Sequence, residues 1–233
     1  MIALSRYQVS LLLRSHRWIP AAVIYILGVV ALGGVGGSVA AHGEALPQGL
    51  SWSALMLVPC VAWLSRSVLT AEPPAARAVV AAASGPRRSQ LAALLAAAGC
   101  AAVFGLAGVI WELVTCGVVR AVPTNSVLLG ATAADLGRGL AVSLICLLVG
   151  SAIGAMCNPP VINRPAASML SSTAAVVLAL VWSVSPANAA VRSGYGATPS
   201  PWLASLGVPV IAALALLVLA WSVSALVAAR RSG

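Results

Sequence analysis

Few side chains in this sequence are equipped for bond-making chemistry. Among 233 residues there are four acids, Glu44, Glu72, Glu112 and Asp135, two histidines, His16 and His42, five cysteines, and no lysine. Without lysine there is no GxxxxGK[ST] loop, so the chain has no Walker A site for ATP. The histidines flank the first apolar run, and neither an HExxH pair nor a Ser/His/Asp set can be assembled around them. The acids are too few for an acid-rich metal site. Cys60, Cys100, Cys116, Cys146 and Cys157 lack CxxC spacing and lie in or at the ends of apolar runs, where cysteine serves as a small packing residue. Gly33-Gly34-Val35-Gly36-Gly37 has no preceding strand and reads as a close-packed or flexible helix end, not a phosphate cradle. Ser84-Gly85-Pro86 lies in a basic loop without a histidine partner and so does not make a serine-protease site.

Glu112 is the exception, because it falls inside an apolar run, and an ionisable group in lipid is by default a functional residue. Its proposed partner is Arg138. The third apolar run carries Glu112 toward one surface, and the fourth brings Arg138 back to comparable depth, so a pair would neutralise both. Such a pair serves structure, or else gating and substrate contact. Asp135, three residues before Arg138, competes as a local partner. Ser168, Ser171 and Ser172 form a hydroxyl-rich stretch that lines a polar path or bonds back to its own helix.

The elements that must hold these residues follow from composition. Hydrophobic residues make up 61% and charged residues 7% of the chain, with a mean hydropathy of +1.04. A soluble domain carries about 25% charged residues, so this surface must face lipid. Apolar runs of the roughly 20 residues needed to span a bilayer occur at about 18–37, 52–71, 91–119, 133–157, 166–184 and 203–229. The expected fold class is an all-α polytopic membrane protein of six transmembrane helices, preceded by an amphipathic interfacial helix at 2–17. A cleaved signal peptide is the rival reading of the first run.

Arginine placement orients the spans. With the amino terminus cytoplasmic and six crossings, Arg6, Arg14, Arg17, Arg66, Arg77, Arg87, Arg88, Arg164, Arg230 and Arg231 fall inside, and Arg120, Arg138 and Arg192 outside: ten against three. Both termini are then cytoplasmic. The net charge of +9 belongs to this pattern, and no basic cluster interleaved with aromatics points to nucleic acid.

Two local patterns stand out. Gly150-Ser151-Ala152-Ile153-Gly154 is a GxxxG that permits close helix approach. In the loop 72–90, Pro73 and Pro74 open a short helix over 75–83, which Ser84-Gly85-Pro86 ends before Arg87 and Arg88. Held between two spans, such a helix is a lever for a cytoplasmic partner, or else an ordinary basic loop at the headgroups.

The order of these features resembles the permease subunits of ABC-2-type ABC transporters. The residues carrying the resemblance are Leu11-Leu12-Leu13-Arg14-Ser15-His16-Arg17-Trp18-Ile19-Pro20, Glu72-Pro73-Pro74-Ala75-Ala76-Arg77, Gly154-Ala155-Met156-Cys157-Asn158 and Ser185-Pro186-Ala187-Asn188-Ala189-Ala190-Val191. The resemblance implies a single transmembrane domain over 1–233, in the plasma membrane of a bacterium, working as a homo- or heterodimer of permeases with two copies of a separate cytoplasmic ABC ATPase. No cofactor is implied in this chain; ATP and Mg would sit in the partner. It implies that the loop 72–90 is the ATPase-coupling element, with Glu72, Pro73, Pro74, Arg77, Arg87 and Arg88, and that the stretch from Ser185 to Pro201 is a re-entrant or capping region on the outer side. The implied activity is export of a small hydrophobic compound, peptide or lipid-like substrate by alternating access. The alternatives are a noncatalytic membrane assembly or immunity protein, and a membrane enzyme acting on lipid or isoprenoid, for which the residues offer no convergent site.

Overall fold

In hydrocarbon no water is available to the backbone, so long apolar runs close their hydrogen bonds within themselves and become helices. The computed structural model describes the backbone of residues 2–39, 45–120, 133–194 and 202–231, and the side chains of 3–31, 48–73, 75–115, 136–193 and 206–230. These residues are helical almost throughout: α1 (Ile2–Ser15), α2 (Ile19–Val39), α3 (Ala45–Leu69), α4 (Pro74–Ser84), α5 (Pro86–Arg120), α6 (Ala133–Cys157), α7 (Pro165–Val181), α8 (Pro186–Gly194) and α9 (Trp202–Arg231). Outside the described side chains fall His42, Glu44, Cys116, Arg120, Asp135, Arg231 and Gly33 to Gly37, together with the segment after Gly194.

Five stretches are long and apolar enough to cross a membrane: Gln48–Leu69, Pro86–Thr115, Leu136–Cys157, Pro165–Ser193 and Leu206–Arg230. α2 is 21 residues long and apolar over Ile19–Ala31. The protein is therefore an all-α polytopic membrane protein with about five long apolar helices.

α3 forms the centre, packed on α6, α5 and α2. Ala54, Leu57, Val58, Val61 and Leu64 of α3 and Val142, Ile145, Cys146 and Val149 of α6 are buried. The GxxxG of α6 supplies this closest seam from within the chain. A Cβ on Gly150 would stand 2.9 Å from the Val58 carbonyl oxygen, and one on Gly154 would overlap the Ser65 side chain. Dispersion at this distance is what holds helices together where lipid removes the hydrophobic driving force. α3 and α6 each bury 67% of their most apolar stretch, whereas the span made by α7 and α8 buries 11% and α9 22%. The outer helices thus present their apolar side chains to lipid.

The fifth apolar run differs from the uninterrupted 166–184 span that its composition predicts. α7 stops at Val181, the backbone leaves the helix over Trp182 to Ser185, and α8 resumes at Pro186. Proline cannot donate an amide to a continuing helix, so it opens a new one. The Asn188 side-chain amide returns to cap the Leu180 carbonyl left over by the break. α8 then packs on α6, α9 and α3 with Ala187 and Ala190 fully buried.

Candidate functional site

The arginine-rich end of the bundle carries the most elaborated polar structure. α3 ends there at Leu69, leaving the carbonyls of its last turn without intrahelical donors. Two arginines from different elements bond to Leu69, its last residue, and to Thr70 just beyond. Arg77 of α4 donates from Nη2 to the Leu69 carbonyl, and the same nitrogen lies 3.3 Å from the Glu72 carbonyl oxygen. Arg17, in the turn between α1 and α2, donates from Nη1 to the Thr70 carbonyl at 2.8 Å, and Ser67 returns a bond to the Arg17 carbonyl at 3.2 Å. Guanidinium groups also complement the partial negative charge of a helix carboxyl end.

α1 closes over the same corner. Glu72 is buried, and its carboxylate acts on the Tyr7 phenol of α1. Partial withdrawal from water and, after it, the charge and hydrogen bond of Glu72 hold the Tyr7 phenol above its usual 10.0. The turn that lets α1 fold back on α5 includes His16 at φ 54, a left-handed conformation that histidine adopts more readily than most residues.

α4 itself stands clear. Among the described residues its backbone packs on α5 alone, and Ala75, Ala78, Val79, Ala82 and Ala83 are exposed, Val79 by 70%. Gly85 separates it from α5 with φ 87, which favours glycine, and its amide caps the Ala81 carbonyl. Arg87 and Arg88 are exposed at the start of α5. Of the residues singled out in this loop, Glu72 and Arg77 thus face inward and bind the corner together, Pro73 and Pro74 start α4, and Arg87 and Arg88 remain on the surface. α4 is thus an exposed helix with a small apolar face and flanking cations, tied through Arg77 to the central helix.

A second network joins α3, α6 and α7 at this end. Arg66 Nη1 donates to Ser168 Oγ at 2.6 Å, Ser168 Oγ donates to Asn158 Oδ1 at 2.9 Å, and Asn158 Nδ2 donates to the Gly154 carbonyl at 2.8 Å. Ser168 is thereby fixed in a buried structural chain. Ser171 and Ser172 bond back to the carbonyls of Ser168 and Met169, each at 3.2 Å. The three hydroxyls do not converge.

Toward the opposite end, Glu112 is buried against Gly49 of α3, and its Oε1 has no hydrogen-bond partner. Arg138 reaches the same level, because the neighbouring Gly139 packs on Leu50. Among the described residues no ion pair joins them, and Arg138 Nε is also without a partner. Equal depth along a helix does not set the direction in which a side chain points, and Glu112 turns toward α3. The Tyr25 hydroxyl, unpartnered too, rests over Gly108 one turn from Glu112. Among the described residues no three of His, Cys, Asp and Glu gather to hold a metal.

A cleft of about 540 Å³ opens between α6, α7 and α9, with Trp182, Val184, Ser185 and Pro186 at the helix break among its lining residues. Sequence reasoning missed it, along with the Tyr7–Glu72 and Arg17–Thr70 contacts. The basic Arg14-Ser15-His16-Arg17 turn was the available sign for the latter.

The fold and these sites define the class: a polytopic helical membrane protein of a kind suited to transport. Compared with models of protein families, with curated proteins and with solved structures, the chain matches none.

Proposed function

We propose that this chain is the membrane-spanning subunit of an ATP-driven exporter of the ABC-2 type, in a bacterial plasma membrane. In this reading α2 is the first of six spans, the arginine-rich end faces the cytoplasm, both termini lie there, and α1 lies along the membrane surface. Two copies of a separate ABC ATPase bind a dimer of such subunits and supply ATP and Mg, since this chain has no Walker A lysine. The observation that carries the reading is α4: a short helix with an unpartnered apolar face, bounded by Arg87 and Arg88, and fastened by Arg77 to the end of α3. ATPase closure would move α4, and α3 would relay that motion into α6 and α5, on which it packs. The spans would then shift between inward- and outward-facing states and release a small hydrophobic compound, peptide or lipid-like substrate outside. Glu112 and Arg138, at one level beside α3, are the groups such a shift would bring together or separate.

The test is co-expression with an ABC ATPase encoded beside the gene, purification in mild detergent, and measurement of ATP hydrolysis with Arg77 intact and with Arg77→Glu. A stable complex whose hydrolysis changes by about tenfold or more on charge reversal supports the reading, a buried charge-assisted contact being worth about 1.5–3 kcal/mol. Failure of any ATPase to associate refutes it.

A further inference from the structure

α7 and α9 form two walls of the lateral cleft, and among the described residues they do not pack on each other. Its lining is almost wholly apolar, and Leu178 of α7, Trp182 at the break and Leu219 of α9 are exposed by 59%, 63% and 63%. The volume of about 540 Å³ lies inside the range of roughly 300–1,000 Å³ typical of ligand pockets. Both walls belong to stretches long and apolar enough to cross a membrane, so the cleft faces hydrocarbon.

Position and charge narrow the occupant. Val223 and Leu216 stand 7 and 14 residues from Arg230, so at 1.5 Å per residue the cleft runs from about 10 to about 21 Å above it. That interval straddles the middle of a hydrocarbon core about 30 Å thick, the level at which a leaflet's acyl chains end. At the feet of the two walls stand exposed cations, Arg164 at the start of α7 and Arg230 near the end of α9. The described residues contain two carboxylates, Glu72 and Glu112, and neither pairs with these arginines. The roof is the break at Trp182 to Ser185, and non-helical backbone at membrane depth commonly marks a binding site in transporters.

We infer that the α6–α7–α9 cleft is a binding site for an anionic phospholipid of the arginine-side leaflet, its acyl chain in the cleft and its headgroup phosphate between Arg164 and Arg230. The inference takes its leaflet from the topology proposed above, but it requires no ATPase and no transport.

Native mass spectrometry of the purified chain, titrated with phosphatidylglycerol and with phosphatidylcholine, tests it. One phosphatidylglycerol per chain is expected, retained about thirtyfold better than phosphatidylcholine, the preference that two arginines near a membrane surface supply. Leu219→Trp and, independently, Leu178→Trp place an indole in the cleft from opposite walls and should each remove most of the bound lipid, with helicity and thermal midpoint unchanged. Arg164→Gln with Arg230→Gln should abolish the preference between the two lipids while phosphatidylcholine binding persists. Inorganic phosphate should not displace the lipid. Absence of retained lipid, or occupancy indifferent to both tryptophans, overturns the inference. So does a lipid-free dimer that Leu219→Trp dissociates, which would make the cleft an interface between two copies.

Discussion

Arg77 of α4 caps the carbonyl of Leu69, the last residue of α3, so an exposed helix of the arginine-rich end is fastened to one of the two most buried spans of the bundle. Under the proposed function, a load applied to α4 would pass to α3 through this side chain as well as through the short backbone link. Arg77→Gln should therefore cost about 1.5–3 kcal/mol of the local stability of α4, because a charge-assisted bond is lost and α3 carbonyls are left without a donor. Hydrogen exchange would read this as faster exchange in α4 with α6 unaffected, and Arg77→Lys, which keeps one donor, should restore part of the protection.

The Gly150–Val58 and Gly154–Ser65 contacts predict a size limit at the centre. Gly154→Ala should destabilise the chain by about 1–3 kcal/mol, the usual range for overpacking, as measured by unfolding in mixed detergent. Ser65→Gly in the same chain should recover most of that loss, since it removes the atoms against which the new methyl group would press. Recovery would be a pairwise effect of the kind a double-mutant cycle isolates.

Much of this was legible before any coordinates. Pro73-Pro74 and Ser84-Gly85-Pro86 are local punctuation, and the short helix expected over 75–83 occupies Pro74–Ser84. The long apolar runs likewise declare themselves, because length and hydropathy decide membrane helices without tertiary help. The break in α7 did not: Ser185-Pro186 is visible as a helix start, but its depth depends on how far α7 leans from α6 and α9. Glu112 and Arg138 show the same limit. Their shared level follows from residue counting, while the turn of Glu112 toward Gly49 depends on helix rotation, which an Ala- and Leu-rich sequence encodes only weakly. Arg77 and Arg17 read as two of many loop cations, because their acceptors become neighbours only after α1 and α4 fold back.

The Tyr7–Glu72 contact predicts a pH dependence of α1 docking. The Tyr7 phenol is held above 10.0 in the folded chain, so its contribution is complete below that value and is lost as pH rises through the raised one. Ionised Tyr7 would face the Glu72 carboxylate as a like charge. Protection of α1 amides, followed from about pH 8 to about pH 11, should fall at the alkaline end in the native chain, and the Tyr7→Phe chain should lack that step.

The buried chain from Arg66 through Ser168 to Asn158 predicts a cost for Ser168→Ala. Removing the hydroxyl leaves Arg66 Nη1 and Asn158 Oδ1 without their bonds to it, at about 1–3 kcal/mol for each stranded group. A lower thermal midpoint and a looser start of α7 in hydrogen exchange are expected. Ser172→Ala, which touches only its own helix, should leave both unchanged.

Glu112 is seated on Gly49, so Gly49→Ala should lower the folded yield, and Glu112→Ala in the same chain should restore it. Glu112→Gln alone should assemble normally, because no ion pair with Arg138 is lost. Transport that falls in this well-assembled variant would assign Glu112 to gating.

The proposed function stands or falls with α4 as the docking element of an ABC ATPase. A photoreactive residue at Val79, exposed on that helix, tests this in native membranes. The account predicts a cross-link to a protein bearing a Walker A loop, whose yield changes when ATP is trapped against hydrolysis. Cross-links to lipid alone, or to a partner without a nucleotide site, would contradict it.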